Sequence, residues 1–553
     1  MFEEIKQLVI DMVKIPSVNT TSGEKDIAVF IEKWLRRLPY FEAHPGQIYI
    51  QPLSNDSLGR RNVFALIKGT KKPEKSLTAG NPVPTIIFHG HTDTVGIEDF
   101  GAYKELAFNP QALMEAYKNA DLDKETKKDL LSGDYLFGRG ATDMKDGNAV
   151  FMVVAKYFSE NLDSFAGNIL LSFNPVEENL HTGIIQAGSF FKNLAKKENL
   201  KYIFAINNDY TCPLYPGDTH KYIYTGSVGK LLPCFYIQGK ETHVGQCFEG
   251  IDSTMVASEL VRQVNLNPEF CDSYNGESTL PPAVLKCQDL KDFYNVQTAF
   301  SNFVYFNYMV HADSVIEIEK KLIAVAKKSW KAVLKLHREH YKNFCRKAKI
   351  KESPIQYSFL VLTFKELKEI AEKNAGISLD AQIRELCLKE LEANVDKREI
   401  GLHIVQFLCK SAKLTIPLIV LFFAPPYCPH NTLKFEISEE AQLYQDMKDF
   451  IEDFGKENDI DFKILNFYPS LTDSSFIKID DDKDSISRLM EDFPEYEQLY
   501  PADLHGIKEL NIPGFNFGGF GKDAHKKTER VYMPYTFKIL PELEIQAVKK
   551  FLK

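Results

Sequence analysis

The sequence predicts an α/β fold built on a mostly parallel sheet. Two observations carry this. Short apolar runs at residues 85–88, 168–173, 202–206 and 515–517 read as buried strands. Amphipathic stretches at 148–158 and 184–195 lie between them and read as helices. Strand–helix alternation of this kind belongs to parallel sheets, whose ligands gather beyond the carboxyl ends of the strands.

Taken in order, the elements begin with a helix over 2–13, stopped before Pro16, and a second over 26–37. The first mixes acids into its pattern and lacks the basic start and apolar core of a signal peptide. The longest apolar stretch, near 414–425, is interrupted by Thr415 and Pro417 and is too short to span a bilayer. At 553 residues the chain exceeds one ordinary core, so two or more domains are expected. Its 44% hydrophobic and 26% charged content describes a soluble globular protein. A net charge of -9 argues against nucleic acid or an anionic membrane as the main partner. The nine cysteines are scattered without a C-x-x-C pair, which reads as reduced thiols in a cytoplasm.

Polar residues fall at the ends of the predicted strands. In "PTIIFHGHTDTVG", His91 and Asp93 follow the run 85–88. "GRGATDMKDG" places Asp143 in a glycine-rich turn before a helix. Glu177 and Glu178 follow "NILLSFNPV", Asp209 follows "KYIFAINN", and His525 follows "FNFGGFGKDA". Each cluster alone has a bland reading: a chance H-x-D, a solvated Glu-Glu pair, a hydrogen-bonded histidine. The ordered set at one sheet edge is what carries information. Two histidines with several carboxylates suit divalent ions, zinc first, with cobalt or manganese also fitting. One Asp can bridge two such ions about 3.5–4 Å apart, and an adjacent carboxylate outside the ligand set would take the proton of an activated water. Glu177 and Glu178 could divide those roles.

This order of motifs resembles the co-catalytic zinc peptidases of metallopeptidase family 20, the family of aminoacylase, carboxypeptidase G and acetylornithine deacetylase. "KIPSVNTTSGE" near the N-terminus is similar as well, and the resemblance covers roughly residues 8–310 and 436–550. Within the family, "TGSVGKLLPCFYIQGKETHVGQCFEG", "NVQT" and "GKDAHKKTERVYMPY" most resemble the RocB-type arginine-utilisation proteins. The resemblance implies two zinc ions, one held by His91 and Asp209, the other by Glu178 and His525, with Asp143 bridging. It implies Asp93 orienting His91 through a hydrogen bond, Glu177 as general base, and His243 of a lid domain stabilising the oxyanion. It also implies a cis peptide after Asp143. His89 has no ligand role in the family and reads as structural.

The implied architecture is a catalytic domain with a mixed, mostly parallel sheet and helices on both faces, interrupted by an α/β lid. Its parts would be 1–215 and 436–553, with the lid at 216–435. The lid holds a long helix near 314–341 and is enlarged by a segment at about 346–429. That segment carries strand-like runs at 355–364 and 414–426 with helix-like stretches at 380–394 and 397–411 between them. Packing on the lid is the plain reading of it; restriction of substrate size or a partner surface is the sharper one. One departure bears on specificity. Where the family has an arginine for the substrate carboxylate, "VYFNYMVH" has Met309, which cannot form a bidentate salt bridge.

The expected function is a cytoplasmic zinc-dependent hydrolase. It would cleave an amide bond of a small N-acyl amino acid or short peptide, in arginine or other amino-acid catabolism, as a monomer or a homodimer through the lid. A non-catalytic zinc-bearing binding protein and an ester or lactone hydrolase are the alternatives.

Overall fold

The structure, a computed structural model, describes residues 1–72, 81–353 and 357–553. The first two positions of the strand-like run 355–364 lie outside the described residues. The chain divides into two compact units. One comprises Met1–Ser227, Asn431–Ile479 and Gly506–Lys553; the other comprises Val228–His430 and Asp480–His505.

The first unit is built on an eight-stranded sheet. Its spatial order is Ile48–Pro52, Arg61–Lys68, Asn168–Asn174, Val83–His91, Leu200–Asn207, Gly514–Asn516, Lys221–Tyr224 and Phe462–Leu465. The centre is parallel: Val83–His91 runs alongside Asn168–Asn174 and Leu200–Asn207 in the same direction, and Gly514–Asn516 follows suit. The flank formed by Ile48–Pro52 and Arg61–Lys68 is antiparallel. The sheet is therefore mixed with a parallel core, as the alternation of strand and helix predicts. All of Asn168–Asn174 is buried, which explains why it reads as a continuous apolar run rather than an alternating one.

Helix Lys145–Glu160 packs on the sheet and against helices Phe2–Val13 and Leu540–Phe551. It is buried on nearly every side over its middle turns, where residues 149–155 are all apolar. Phe151 stacks on Phe88 with ring centroids 4.9 Å apart, tying the helix to the central strand. Burying each such ring contributes about 1.5–3 kcal/mol. Helix Phe2–Val13 buries Ile5, Leu8, Val9, Met12 and Val13, an i, i+3, i+4, i+7 stripe. Gly90, between two histidines, lies where the strand comes close to the start of the helix. A Cβ there would meet Asn148 Oδ1 at 2.4 Å and the Met144 methyl at 2.5 Å.

The second unit has a six-stranded sheet. Its main order is Ala283–Asp289, Ser301–Val310, Pro233–Gln238, Leu418–Phe423 and Leu360–Thr363, and Gly229–Leu231 also pairs with Ser301–Val310. The 34-residue helix Val315–Ala348 starts at a capping box made by Ser314 and Glu317. The extra segment builds strands into this sheet. Leu418–Phe423 pairs antiparallel with Pro233–Gln238, and Leu360–Thr363 adds on in parallel. The apolar run near 414–425 is thus a buried strand. No helix among the described residues is long and apolar enough to cross a membrane.

Candidate metal centre

Parallel strands share one direction, so residues at their carboxyl ends meet at one edge. His91 closes Val83–His91, Glu177 and Glu178 lie just past Asn168–Asn174, and Asp209 lies just past Leu200–Asn207. Asp143 enters from the turn before Lys145–Glu160, and His525 from the loop after Gly521–Lys522. The Asp143–Met144 peptide is cis, as the resemblance implies. All of these residues belong to the first unit.

Asp143 is the hub. Its Oδ1 lies 3.1 Å from His91 Nε2, and its Oδ2 lies 3.1 Å from His525 Nε2. His525 Nε2 is also 3.0 Å from Glu178 Oε1. Ligand atoms lie within 4.8 Å of one another in each of three sets: His91, Asp143 and Asp209; Asp143, Glu178 and His525; His91, Glu177 and Glu178. The first two sets share Asp143.

Asp93 is placed differently from the expectation. Its carboxylate Oδ1 is 3.7 Å from His91 Nδ1, too long for a hydrogen bond. The ring nitrogen instead lies 3.1 Å from the Asp93 carbonyl oxygen, which fits a proton on Nδ1 and leaves Nε2 facing Asp143. The Asp93 carboxylate accepts from the Glu177 amide at 3.0 Å, the Glu178 amide at 3.1 Å and Asn19 Nδ2 at 2.8 Å. It therefore anchors the Glu-Glu turn. That turn needs an anchor, because the β-branched Val176 has φ 72° and His181 has φ 53°. Asp93→Ala is expected to lower apo-protein stability by about 3 kcal/mol, since a buried charge-assisted acceptor of three bonds is removed. Chemical denaturation of the metal-free protein checks this; a loss below about 0.5 kcal/mol, the scale of an ordinary surface change, would contradict the anchoring role.

The electrostatics of the centre are those of crowded acids. Burial, then the charge of Asp143, pushes Asp209 up to about 7. Burial drives Glu177 well above the ordinary carboxylate value and raises Glu178 as well. Asp143 is the exception: burial opposes its charge, yet hydrogen bonds from His525 and His91 hold it below the usual range. The same bonds to Asp143 and Glu178 raise His525 to about 11. Burial works against a charge on His91, but its bond to Asp143 and the nearby Glu177 carboxylate hold it well above its usual value. Two imidazoles and four carboxylates at these distances are a donor set that fits divalent cations.

The other residues of the sequence reading, and Lys522 three positions before His525, fall as follows. His89 Nε2 sits 2.9 Å from Ser474 Oγ, and burial lowers its pKa to about 3, so it is a neutral structural histidine. Lys522 is committed to Glu125 at 2.7 Å and Asp129 at 2.9 Å. His243 belongs to the second unit, where its Nδ1 accepts the Gly245 amide at 3.0 Å. Met309, in the same unit, lies directly across the strand pair from Lys230.

The sequence reading missed one group. The short turn Asp473–Phe476 and Thr472 before it bond residues that neighbour the centre in sequence. Thr472 Oγ1 accepts from Asn207 Nδ2 at 2.7 Å, and Asp473 Oδ1 lies 3.1 Å from His181 Nδ1. The only sequence signal was His181 itself, four residues after Glu177 in "EENLH".

Comparison with known proteins agrees with this geometry. The model of the peptidase family M20/M25/M40 matches residues 87–534. The chain belongs to this family. Family membership makes it a metallohydrolase acting on amide bonds. It is similar to protein RocB of Bacillus subtilis, 35% identical over 100% of this chain and 95% of that one. It is also similar to the B. subtilis protein YqjN, 32% identical over 100% of this chain and 97% of the other. Among solved structures, aminopeptidase PepT of Bacillus cereus has the same fold, with a TM-score of 0.54 at 12% identity, covering 100% of this chain and 99% of that one.

Proposed function

We propose that this M20-family chain hydrolyses the amide bond of a small N-acyl amino acid or a short peptide, within the catabolism of arginine or another amino acid. The observation that supports this best is the Asp143 carboxylate, each of whose oxygens lies 3.1 Å from a different histidine. In this reading His91 and Asp209 would hold one divalent ion, Glu178 and His525 would hold a second, and Asp143 would serve both. The mixed imidazole and carboxylate donors favour zinc, with cobalt or manganese as substitutes. When bound, such ions supply Lewis acidity to the scissile carbonyl and lower the pKa of water.

The chain's own residues do the rest. Asp93 fixes His91 Nδ1 through its carbonyl and fixes the Glu-Glu turn through its carboxylate. Glu177, 8% exposed at the inner side of that turn, takes the proton of the attacking water and passes it to the leaving amine. Its burial raises its pKa above the ordinary carboxylate value, which makes the carboxylate a stronger proton acceptor.

The test is a panel of N-acetyl amino acids, dipeptides and lactones, offered to zinc-loaded and chelator-treated protein. Hydrolysis of an amide by the loaded form alone is the expected result. Hydrolysis of lactones with no amide turned over would overturn the reading.

A further inference from the structure

The two adjacent glutamates have different histidine neighbours. Glu178 Oε1 lies 3.0 Å from His525 Nε2, on the open side, where His525 is 50% exposed. Glu177 Oε1 lies 3.8 Å from His181 Nδ1, on the buried side, where His181 is 2% exposed. That same Nδ1 is 3.1 Å from Asp473 Oδ1. The His181 ring rests against Phe476 with centroids 4.8 Å apart, and its amide donates to the Val176 carbonyl at 2.8 Å. Backbone, ring face and ring edge are thus all fixed.

Asp473 gives this contact its meaning. It is 2% exposed, and its Oδ2 has no hydrogen-bond partner among the described residues. A carboxylate buried in that way is destabilising unless a cation or donor faces it. Here the facing group is His181, whose Nδ1 edge is held between two carboxylates, bonded to Asp473 and within 4 Å of Glu177.

We propose that Asp473 and His181 are positioning residues for Glu177: Asp473 locks the imidazole through its hydrogen bond, and the imidazole edge, in contact with Glu177 Oε1 at 3.8 Å, limits where that carboxylate can sit. This rests on Glu177 being the general base. The need for such a device is visible in the distances, since Glu177 also falls within 4.8 Å of His91 and Glu178 ligand atoms and could otherwise serve as a ligand itself. Phe476, on the same turn as Asp473, supplies the wall that keeps the ring from swinging.

The test is a double-mutant cycle with Glu177→Ala, His181→Gln and the double variant, assayed on whichever N-acetyl amino acid or dipeptide the wild type hydrolyses fastest. His181→Gln is expected to lower kcat about tenfold or more, the scale for partners that orient site residues, with KM changed less than about twofold. In the Glu177→Ala background it should lower kcat no further, because a residue acting through Glu177 has nothing left to act on. Equal losses in both backgrounds would overturn the proposal while leaving Glu177 as base. A Glu177→Ala variant with full activity would overturn the base assignment first. A crystal structure of zinc-loaded His181→Ala gives a reading that needs no substrate. The Glu177 carboxylate should move by about 0.5 Å or more, the tolerance of a working site, and an unmoved carboxylate contradicts the proposal.

Discussion

Glu177→Gln is expected to reduce kcat by about two orders of magnitude or more while both metal ions stay bound. The substitution keeps the size of the side chain and removes its capacity to take a proton. Glu178→Gln should behave differently, because Glu178 is the glutamate that shares His525 with Asp143. It should lose affinity for one ion and lose activity as a consequence, with activity partly restored by excess metal. Metal content per chain, measured on both variants after gel filtration, separates the two outcomes. The division of labour is wrong if the Glu177 variant sheds an ion while the Glu178 variant keeps both. The expectation follows from the placement of the turn. Asp93 holds both glutamate amides, at 3.0 Å and 3.1 Å, so the turn stays fixed when either side chain is changed.

Much of this arrangement was legible in the sequence, for a physical reason. A parallel strand buried on both faces is mostly apolar along its length, so polar residues gather where it ends. In "PTIIFHGHTDTVG" and "KYIFAINND" the change from apolar to polar therefore marks the sheet edge. Several such edges delivering His, Asp and Glu define a centre before any distance is known. The limits of the first helix were legible too: the stripe through Ile5, Leu8, Val9 and Met12 runs over the length the structure gives, Phe2–Val13, whereas the long helix read near 314–341 continues to Ala348.

What was not legible depends on tertiary pairing. "SLTDSSF" carries the composition of a solvated loop, yet Asp473, Ser474 and Ser475 are all buried. Nothing local distinguishes a serine that faces water from one that faces His89. The Asp93 carboxylate is a similar case. Its spacing from His91 suggested a side-chain bond, but the backbone carbonyl is nearer, at 3.1 Å against 3.7 Å, and frees the carboxylate for the Glu-Glu turn. Segment Asp480–His505 was equally silent. Its helix Lys483–Glu491 has an ordinary amphipathic pattern, which fixes that it packs but not on which unit.

Asp143→Ala is expected to weaken both metal ions together and to abolish turnover. Each oxygen of Asp143 faces a different histidine, so on the proposed assignment a single substitution removes a ligand from both sets that contain it. His91→Ala leaves the set of Asp143, Glu178 and His525 intact, and His525→Ala leaves the set of His91, Asp143 and Asp209 intact, so each should leave one ion bound. The affinity of both ions should fall by at least about a hundredfold in the Asp143 variant, the upper end of what even indirect partners cause. Thermal melts provide a measurement free of activity. An ion at a hundred times its Kd stabilises the folded state by about 2.7 kcal/mol, so added zinc should raise the wild-type midpoint. Zinc should leave the Asp143→Ala midpoint where it is. Removing Asp143 also takes a negative charge away from Asp209 and Glu178, whose carboxyl groups it pushes upward. Loss of the zinc response in this variant therefore reports lost ligation and not a general increase in repulsion among the acids. Two ions bound with unchanged affinity to Asp143→Ala would show that the two sites do not share this residue, and the centre would then be two independent sites, each completed by its own histidine.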